Sequence, residues 1–65
     1  MKLTINSEAR DLDAATLAEA LVALGMGNAR VATALNGDFV PATARETARL
    51  SPGDALEIVA PMQGG

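Results

Sequence analysis

One short segment of the chain has the periodicity of an amphipathic helix, and it limits the folds open to the rest. Four apolar residues recur at the i, i+3, i+4, i+7 spacing that makes one helical face: Leu17, Ala20, Leu21 and Leu24. Thr16 and Glu19 have the spacing of a capping box, which begins a helix, and Gly25 favours the left-handed conformation that ends one. The apolar face needs a second layer to cover it, and the remaining apolar segments have the periodicity of strands.

Two strands are predicted before the helix. Residues 1–6 alternate apolar and polar side chains, which is the period of a half-buried strand. Asn6-Ser7-Glu8 is typical of a turn, and residues 9–13 form a weaker second strand in which Leu12 carries most of the apolar surface. An N-terminal hairpin is therefore expected.

Two further strands are predicted after the helix, on either side of an Asn36-Gly37 turn. Residues 31–35 place every second side chain on one face. Asn-Gly is a strong hairpin signal because both turn positions need positive φ. Residues 39–40 begin the return strand, which Pro41 ends or confines to an edge, and the polar residues 42–50 form a turn or a short helix.

The last predicted strand, residues 55–60, follows a Pro-Gly turn of type II at residues 51–54. Its side chains alternate between two faces. Leu56 and Ile58 would face the core, whereas the other face would carry Ala55, Glu57 and Val59.

Together these elements predict an α+β fold in which one helix lies across one face of a small mixed sheet. If the first and last strands are neighbours at the sheet centre, the fold is a ubiquitin-like β-grasp. Residues 1–60 form one domain, because a chain of 65 residues leaves no room for a second. Residues 61–65 are expected to be a flexible tail, because Gly64 and Gly65 lose much conformational freedom when ordered and have no side chain to pack.

The residue types present exclude several functions. The chain has no cysteine, histidine or tyrosine, so it can form no disulfide and lacks the usual zinc ligands, general bases and activated nucleophiles. We therefore expect a protein that is not an enzyme and binds no metal or cofactor of its own. Eight acidic and five basic side chains give a net charge of −3, and Phe39 is the only aromatic residue. A nucleic-acid partner, which needs a basic surface, is not expected, and a basic protein surface is the more natural partner.

The first residues of the chain bear on its location. Residues 1–11 contain no long apolar run of the kind that a signal peptide or a membrane span requires. The absence of cysteine fits a reducing compartment. We predict a cytoplasmic protein with no membrane partner.

Two stretches of sequence carry a family resemblance. They are "ALNGDFVP" at residues 34–41 and "LSPGDALEIVAPMQGG" at residues 50–65, and they stand in order with the N-terminal hairpin and the helix. This set resembles the ThiS family, the bacterial sulfur carriers of thiamin biosynthesis, over essentially the whole chain, including its length and its final residue. Carriers that feed molybdopterin synthesis share the fold and the two glycines, but they tend to be longer and richer in aromatic residues. The single phenylalanine favours the thiamin branch.

The resemblance implies a chemistry at the C-terminal carboxylate of Gly65. An ATP-dependent, E1-like adenylyltransferase would adenylate this carboxylate, a sulfur donor protein would supply the sulfur that replaces AMP, and the thiocarboxylate would pass it to thiazole synthase. ATP and any metal would be bound by the activating enzyme. The absence of cysteine agrees with this chemistry, because the chain offers no thiol on which to carry a persulfide.

The residues before Gly65 would thread with it into the partner's site. These are Met62, Gln63 and Gly64. A glycine has no Cβ, so the walls of a narrow channel can approach its backbone closely. Met62 could also be an adaptable apolar contact, or simply cover the edge of the sheet.

Three residues are candidates for partner docking: Val59, Phe39 and Glu57. Val59 is out of phase with the core residues of its strand and is the better candidate for an exposed apolar patch, whereas Phe39 is expected in the core. Glu57 and Asp54 could attract a basic partner surface, or they could belong to a solvated face, with Asp54 serving only its turn.

One departure from the family pattern concerns the residues after Pro41. Members of the thiamin branch often have an arginine there and a large aromatic residue a few positions later, whereas this chain has Ala42 and the polar residues 43–49. This departure concerns the contacts of that loop and does not affect the tail.

Other functions also stay open. They are a molybdopterin-type sulfur carrier, a β-grasp interaction module without sulfur transfer, and a protein tag joined through Gly65 to lysines.

Overall fold

The order of helices and strands follows the sequence prediction. The computed structural model describes residues 1–60, and the predicted tail, residues 61–65, lies outside the described residues. The elements are β1 (Lys2–Ile5), β2 (Glu8–Asp11), α1 (Leu17–Ala23), β3 (Ala32–Leu35), β4 (Asp38–Val40), a 3-10 helix (Ala42–Ala44) and β5 (Ala55–Val59). Over residues 1–60, no helix has the length and apolar character needed to cross a membrane.

The second strand differs from its prediction in extent. It begins at Glu8 and ends at Asp11, which leaves Leu12 outside the strand as a half-buried residue that packs against the core. The turn before it contains only Asn6 and Ser7, whose φ angles are 50° and 71°. Two consecutive residues with positive φ are the geometry of a tight two-residue hairpin, so the return strand starts earlier than expected.

β1 and β5 are parallel neighbours at the centre of the sheet, as predicted. The strand order is β2-β1-β5-β3-β4, and all the other pairings are antiparallel. β5 therefore lies between the two hairpins and pairs with both of them.

The capping box forms at the start of α1 with one change. Thr16 Oγ1 accepts a hydrogen bond from the Glu19 N–H at 3.2 Å. The reciprocal bond reaches one residue further back, because Glu19 Oε1 accepts from the Ala15 N–H at 2.9 Å. The amides of Leu17 and Ala18 donate to two carbonyls of the segment after the 3-10 helix. The first turn of the helix thus has its amides satisfied by a cap and by tertiary contacts.

α1 ends in a Schellman motif, which confirms the stop predicted at Gly25. The φ of Gly25 is 79°. Its N–H donates to the Val22 carbonyl at 3.0 Å, and the Met26 N–H donates to the Leu21 carbonyl at 2.7 Å.

The helix covers one face of the sheet, and the core lies between these two layers. The buried apolar residues are Leu3, Ile5, Ala14, Leu17, Ala20, Leu21, Leu50, Leu56 and Ile58. Full burial of one leucine side chain stabilises a fold by about 2 kcal/mol relative to leaving it exposed. Leu56 and Ile58 face this core, and Ala55, Glu57 and Val59 lie on the other face, as predicted.

Thr33 is a buried polar residue on the core side of β3. It is 2% exposed, and its hydroxyl donates to the Val40 carbonyl at 2.8 Å and accepts from Arg45 Nε at 3.0 Å. Arg45 Nη2 also donates to the Val31 carbonyl. This arginine therefore ties the segment after the 3-10 helix to β3.

The expectation that Phe39 belongs to the core is wrong. Its side chain is 69% exposed. The reason is the register between β3 and β4, in which Val40 is opposite the buried Thr33 and Phe39 is opposite Ala34. Because successive residues of a strand point to opposite faces, Val40 takes the core side and Phe39 the outer side.

Candidate functional site

The structure brings the three predicted docking residues together on the outer face of the sheet. In the strand register, Phe39 is opposite Ala34, and Ala34 is opposite Glu57. Val59, two residues beyond Glu57 on β5, is opposite Ala32. All five residues lie on the face turned away from α1, and we call them the outer patch.

The outer patch is mainly apolar and open to solvent. Phe39 is 69% exposed and Val59 is 61% exposed, while Glu57 is a charged residue between them on the surface. The five residues, with Thr33 below them, line a shallow pocket. An apolar surface with one charge within it has the composition of a protein-binding face.

A second shallow pocket shares Ala32 and Val59 with the outer patch. The residues that line it are Ala29, Arg30, Val31, Ala32, Ala42, Arg45 and Val59. Two arginines therefore stand beside the patch, in contrast to the acidic charge of the whole chain. Ala42, the residue that departs from the family pattern, contributes a small side chain to the lining of this second pocket.

Asp54 serves its turn. Its Oδ2 accepts from the Ser51 N–H at 2.8 Å, and its Oδ1 accepts from Asn36 Nδ2 at 3.1 Å. Asn36 Oδ1 in turn accepts from the Ala55 N–H at 2.9 Å. Both carboxylate oxygens of Asp54 are thus hydrogen-bonded within the fold. Asp54 precedes β5, whereas Val59 of the outer patch is at the other end of that strand.

The four site residues predicted in the tail, Met62, Gln63, Gly64 and Gly65, lie outside the described residues, so their roles stay predictions. β5 ends at Val59, and six residues of the sequence follow it. Six fully extended residues span at most about 20 Å.

Within residues 1–60, no group of three aspartate or glutamate side chains is arranged to hold a metal ion. Glu57 is the one carboxylate among the five residues of the outer patch.

Several residues of the site were not singled out from the sequence. Ala32 and Ala34 follow from the alternation of β3, since they are out of phase with Thr33. The sequence gave no signal for the role of Arg45, because its hydrogen-bond partner Thr33 is twelve residues away. Asn6 appeared only as a turn residue, although its side chain bonds to Ile58 at the end of β5.

A five-stranded mixed sheet with its first and last strands parallel at the centre, crossed by one helix, defines a ubiquitin-like β-grasp protein. The ThiS family model matches residues 3–65. The chain belongs to the ThiS family, which confirms the resemblance of its sequence motifs.

Solved structures of similar proteins agree with this assignment. A crystal structure of the thiamine biosynthesis protein ThiS from Geobacter metallireducens is 33% identical, with a TM-score of 0.84 and full coverage of both chains. A solution structure of a thiamine biosynthesis protein from the same organism is 32% identical with a TM-score of 0.80, and the match covers all of this chain and 88% of that one.

A curated relative is much longer than this chain. It is a thiazole synthase from Paramagnetospirillum magneticum (strain ATCC 700264 / AMB-1), 41% identical over 66 residues. The match covers all of this chain, which spans only 20% of the length of that relative.

Proposed function

We propose that this protein is the sulfur carrier that supplies thiazole formation in thiamin biosynthesis, and that the sulfur is carried as a thiocarboxylate on Gly65. One observation supports this function most: the ThiS family match extends through residue 65 and so includes both terminal glycines. A chain without cysteine has no thiol to carry a persulfide, which leaves the terminal carboxylate as the natural place for sulfur.

The proposed chemistry has two steps at this carboxylate. A carboxylate oxygen of Gly65 attacks the α-phosphorus of ATP, the bond to the β-phosphate oxygen breaks, and pyrophosphate leaves from the acyl-adenylate. Sulfur at the oxidation level of sulfide then attacks the carbonyl carbon, and AMP leaves with the carbon–oxygen bond's electron pair. The active sites for both steps belong to partners, an E1-like adenylyltransferase and a sulfur donor protein, which keep water from the reactive intermediates.

The partner that receives the sulfur is proposed to be thiazole synthase. The curated relative with that name contains a segment similar to the whole of this chain, which supports a close working relation between the two. In this proposal the outer patch docks each partner in turn, and the residues beyond Val59 enter the partner's active site.

Intact mass measurement tests the proposed function. The chain would be incubated with ATP, the activating enzyme of the same organism and a sulfur source, beside a version that lacks Gly65. We expect a mass increase equal to the replacement of one oxygen by one sulfur, only in the full chain. An unchanged mass, with the enzyme active on another carrier, would contradict the proposal, and an isopeptide to a lysine of another protein would indicate a protein tag.

The role of the outer patch is tested by removing its exposed side chains. Phe39→Ala should raise the KM of the activating enzyme for the carrier by about tenfold, because truncation of a buried interface aromatic commonly costs more than 1 kcal/mol. Val59→Ala should have a smaller effect in the same direction. The measurement is ATP–pyrophosphate exchange at varied carrier concentration.

Val22→Ala is the matched control for this experiment. Val22 is 68% exposed, nearly as much as Phe39, but it lies on α1 across the sheet from the outer patch. Its truncation should leave KM unchanged, and all three variants should unfold at about the same urea concentration as the parent chain. An equal effect of Val22→Ala and Phe39→Ala would place the docking surface elsewhere.

A further inference from the structure

The side chain of Asn6 completes the hydrogen bonding of β5 at the end from which the tail emerges. Asn6 Nδ2 donates to the Ile58 carbonyl at 3.0 Å, and Asn6 Oδ1 accepts from the Ile58 N–H at 2.8 Å. The backbone N–H and the backbone carbonyl of Ile58 are therefore both hydrogen-bonded to the same side-chain amide. The two residues are 52 positions apart in the sequence.

This arrangement continues the parallel ladder where the backbone of β1 leaves it. The Thr4 N–H donates to the Asp54 carbonyl at 2.9 Å, and the Asn6 N–H donates to the Leu56 carbonyl at 3.0 Å. The next bonds would belong to Ile58, but β1 has ended at Ile5 and the chain turns back with positive φ at Asn6. The Asn6 carboxamide, which has one carbonyl and one N–H group on the right side, takes the place of the missing peptide.

The two hydrogen bonds from Asn6 also help to fix where β5 ends. On its other side, β5 is paired with β3 as far as Val59, opposite Ala32. Without Asn6, Ile58 would be held from one side only, and the end of β5 would be an edge with unpaired groups. Ile58 and Val59 would then be held through β3 alone and would separate from the sheet more readily, which would lengthen the segment that must become ordered in a partner's active site.

We propose that Asn6 is a positioning residue for activation of the carrier: it holds the end of β5 and thereby sets the point from which the tail reaches the adenylating site. This inference rests on the proposed function. Asn6 touches none of the reacting atoms, so its effect is on the productive encounter with the partner. If the end of β5 is held in the free carrier, fewer residues must be ordered on binding, and the cost in conformational entropy is lower.

A matched pair of glycine variants isolates this role. Asn36 also bonds through its side chain to the backbone of β5, at Ala55, which is the opposite end of the strand. The φ angles of Asn6 and Asn36 are 50° and 51°, so glycine keeps both turns without strain. Asn6→Gly and Asn36→Gly therefore each remove side-chain bonds to β5, but only the first removes them beside the tail.

The experiment measures ATP–pyrophosphate exchange with the activating enzyme of the same organism. We expect Asn6→Gly to raise the KM for the carrier about tenfold with kcat unchanged, because the extra mobile residues must be ordered on binding. Asn36→Gly should leave both constants within about twofold. Asn6→Asp keeps the acceptor for the Ile58 N–H and loses the donor, so its KM should lie between those of the parent and Asn6→Gly.

Amide hydrogen exchange gives a second readout that a general loss of stability would not produce. In Asn6→Gly the amides of Ile58 and Val59 should exchange faster while that of Ala55 is unchanged, and in Asn36→Gly the reverse should hold. Equal KM values for the two glycine variants, or an Asn6→Gly effect on kcat rather than KM, would overturn the positioning role. A parent chain that supports no exchange of pyrophosphate would instead refute the proposed function itself.

Discussion

Replacing Gly65 with valine is expected to abolish adenylation of the carrier while leaving its fold intact. In the proposed reaction the reacting carboxylate belongs to this residue, and the carboxylate must enter a site built around a chain with no Cβ. A branched side chain would meet the channel walls that approach a glycine closely. We expect at least about a hundredfold fall in kcat/KM, a misplacement cost typical of reactions that depend on the position of the reacting group.

Two measurements separate this effect from a loss of stability. The free energy of unfolding of Gly65→Val in urea should agree with that of the parent within about 0.5 kcal/mol, as for other substitutions away from a core. A chain extended by one alanine after Gly65 keeps both glycines but moves the carboxylate by one residue, and it should be equally inactive. Activity in the extended chain would mean that the activating enzyme does not depend on the position of the carboxylate.

Replacing Leu56 with alanine is expected to cause a large loss of stability. Leu56 is 1% exposed, lies in the central strand β5, and contacts the core between sheet and helix. Truncation of a buried leucine to alanine costs about 2–5 kcal/mol. A domain of this size has a total stability of about 3–10 kcal/mol, so this one change would remove much of it.

Val59→Ala on the same strand is the control for Leu56→Ala. Val59 is 61% exposed and three residues further along β5, so its truncation should change the free energy of unfolding by less than about 0.5 kcal/mol. Urea titrations followed by far-ultraviolet circular dichroism would measure both variants. Similar losses in the two would show that the outer face contributes to the core's stability, contrary to the burial pattern.

The parts of the fold that follow local rules were predictable from the sequence. The capping residue Thr16 and the stop at Gly25 bound the helix as expected, because a cap and a left-handed residue act within one turn of the chain. The turn at Asn36 and Gly37 has φ angles of 51° and 87°, since the sequence there fits few other conformations. The exposure of Val59 followed from its phase relative to Ile58.

The errors and omissions arise where tertiary pairing decides between local alternatives. Phe39 and Val40 are adjacent apolar residues, and either could face the core until the register with Thr33 selects Val40. The two hydrogen bonds between the Asn6 side chain and the Ile58 backbone depend on two strands that meet only in the folded sheet. Side-chain roles of this kind have no periodic signature, so the sequence shows the turn at Asn6 but not its second role.

The candidate site divides in the same way. Val59 and Glu57 were assigned to the outer face by strand alternation, and the structure places both there. The neighbouring arginines of the second pocket lie outside the predicted strands: Arg30 precedes β3, and Arg45 belongs to the segment predicted as a turn or a short helix. The positions of such segments relative to a strand cannot be obtained from periodicity, because they depend on how the chain packs after the strands have paired.

The central position of β5 also governs when the protein can fold during its synthesis. The two hairpins form from neighbouring residues, but β5 separates them in the sheet and is the last of the five strands to leave the ribosome. Pairing between β1 and β5 must wait until the chain has been made as far as β5, so the sheet is completed by contacts between residues far apart in the sequence, which are slow to form. A chain that ended before β5 would lack the strand that joins the two hairpins into one sheet.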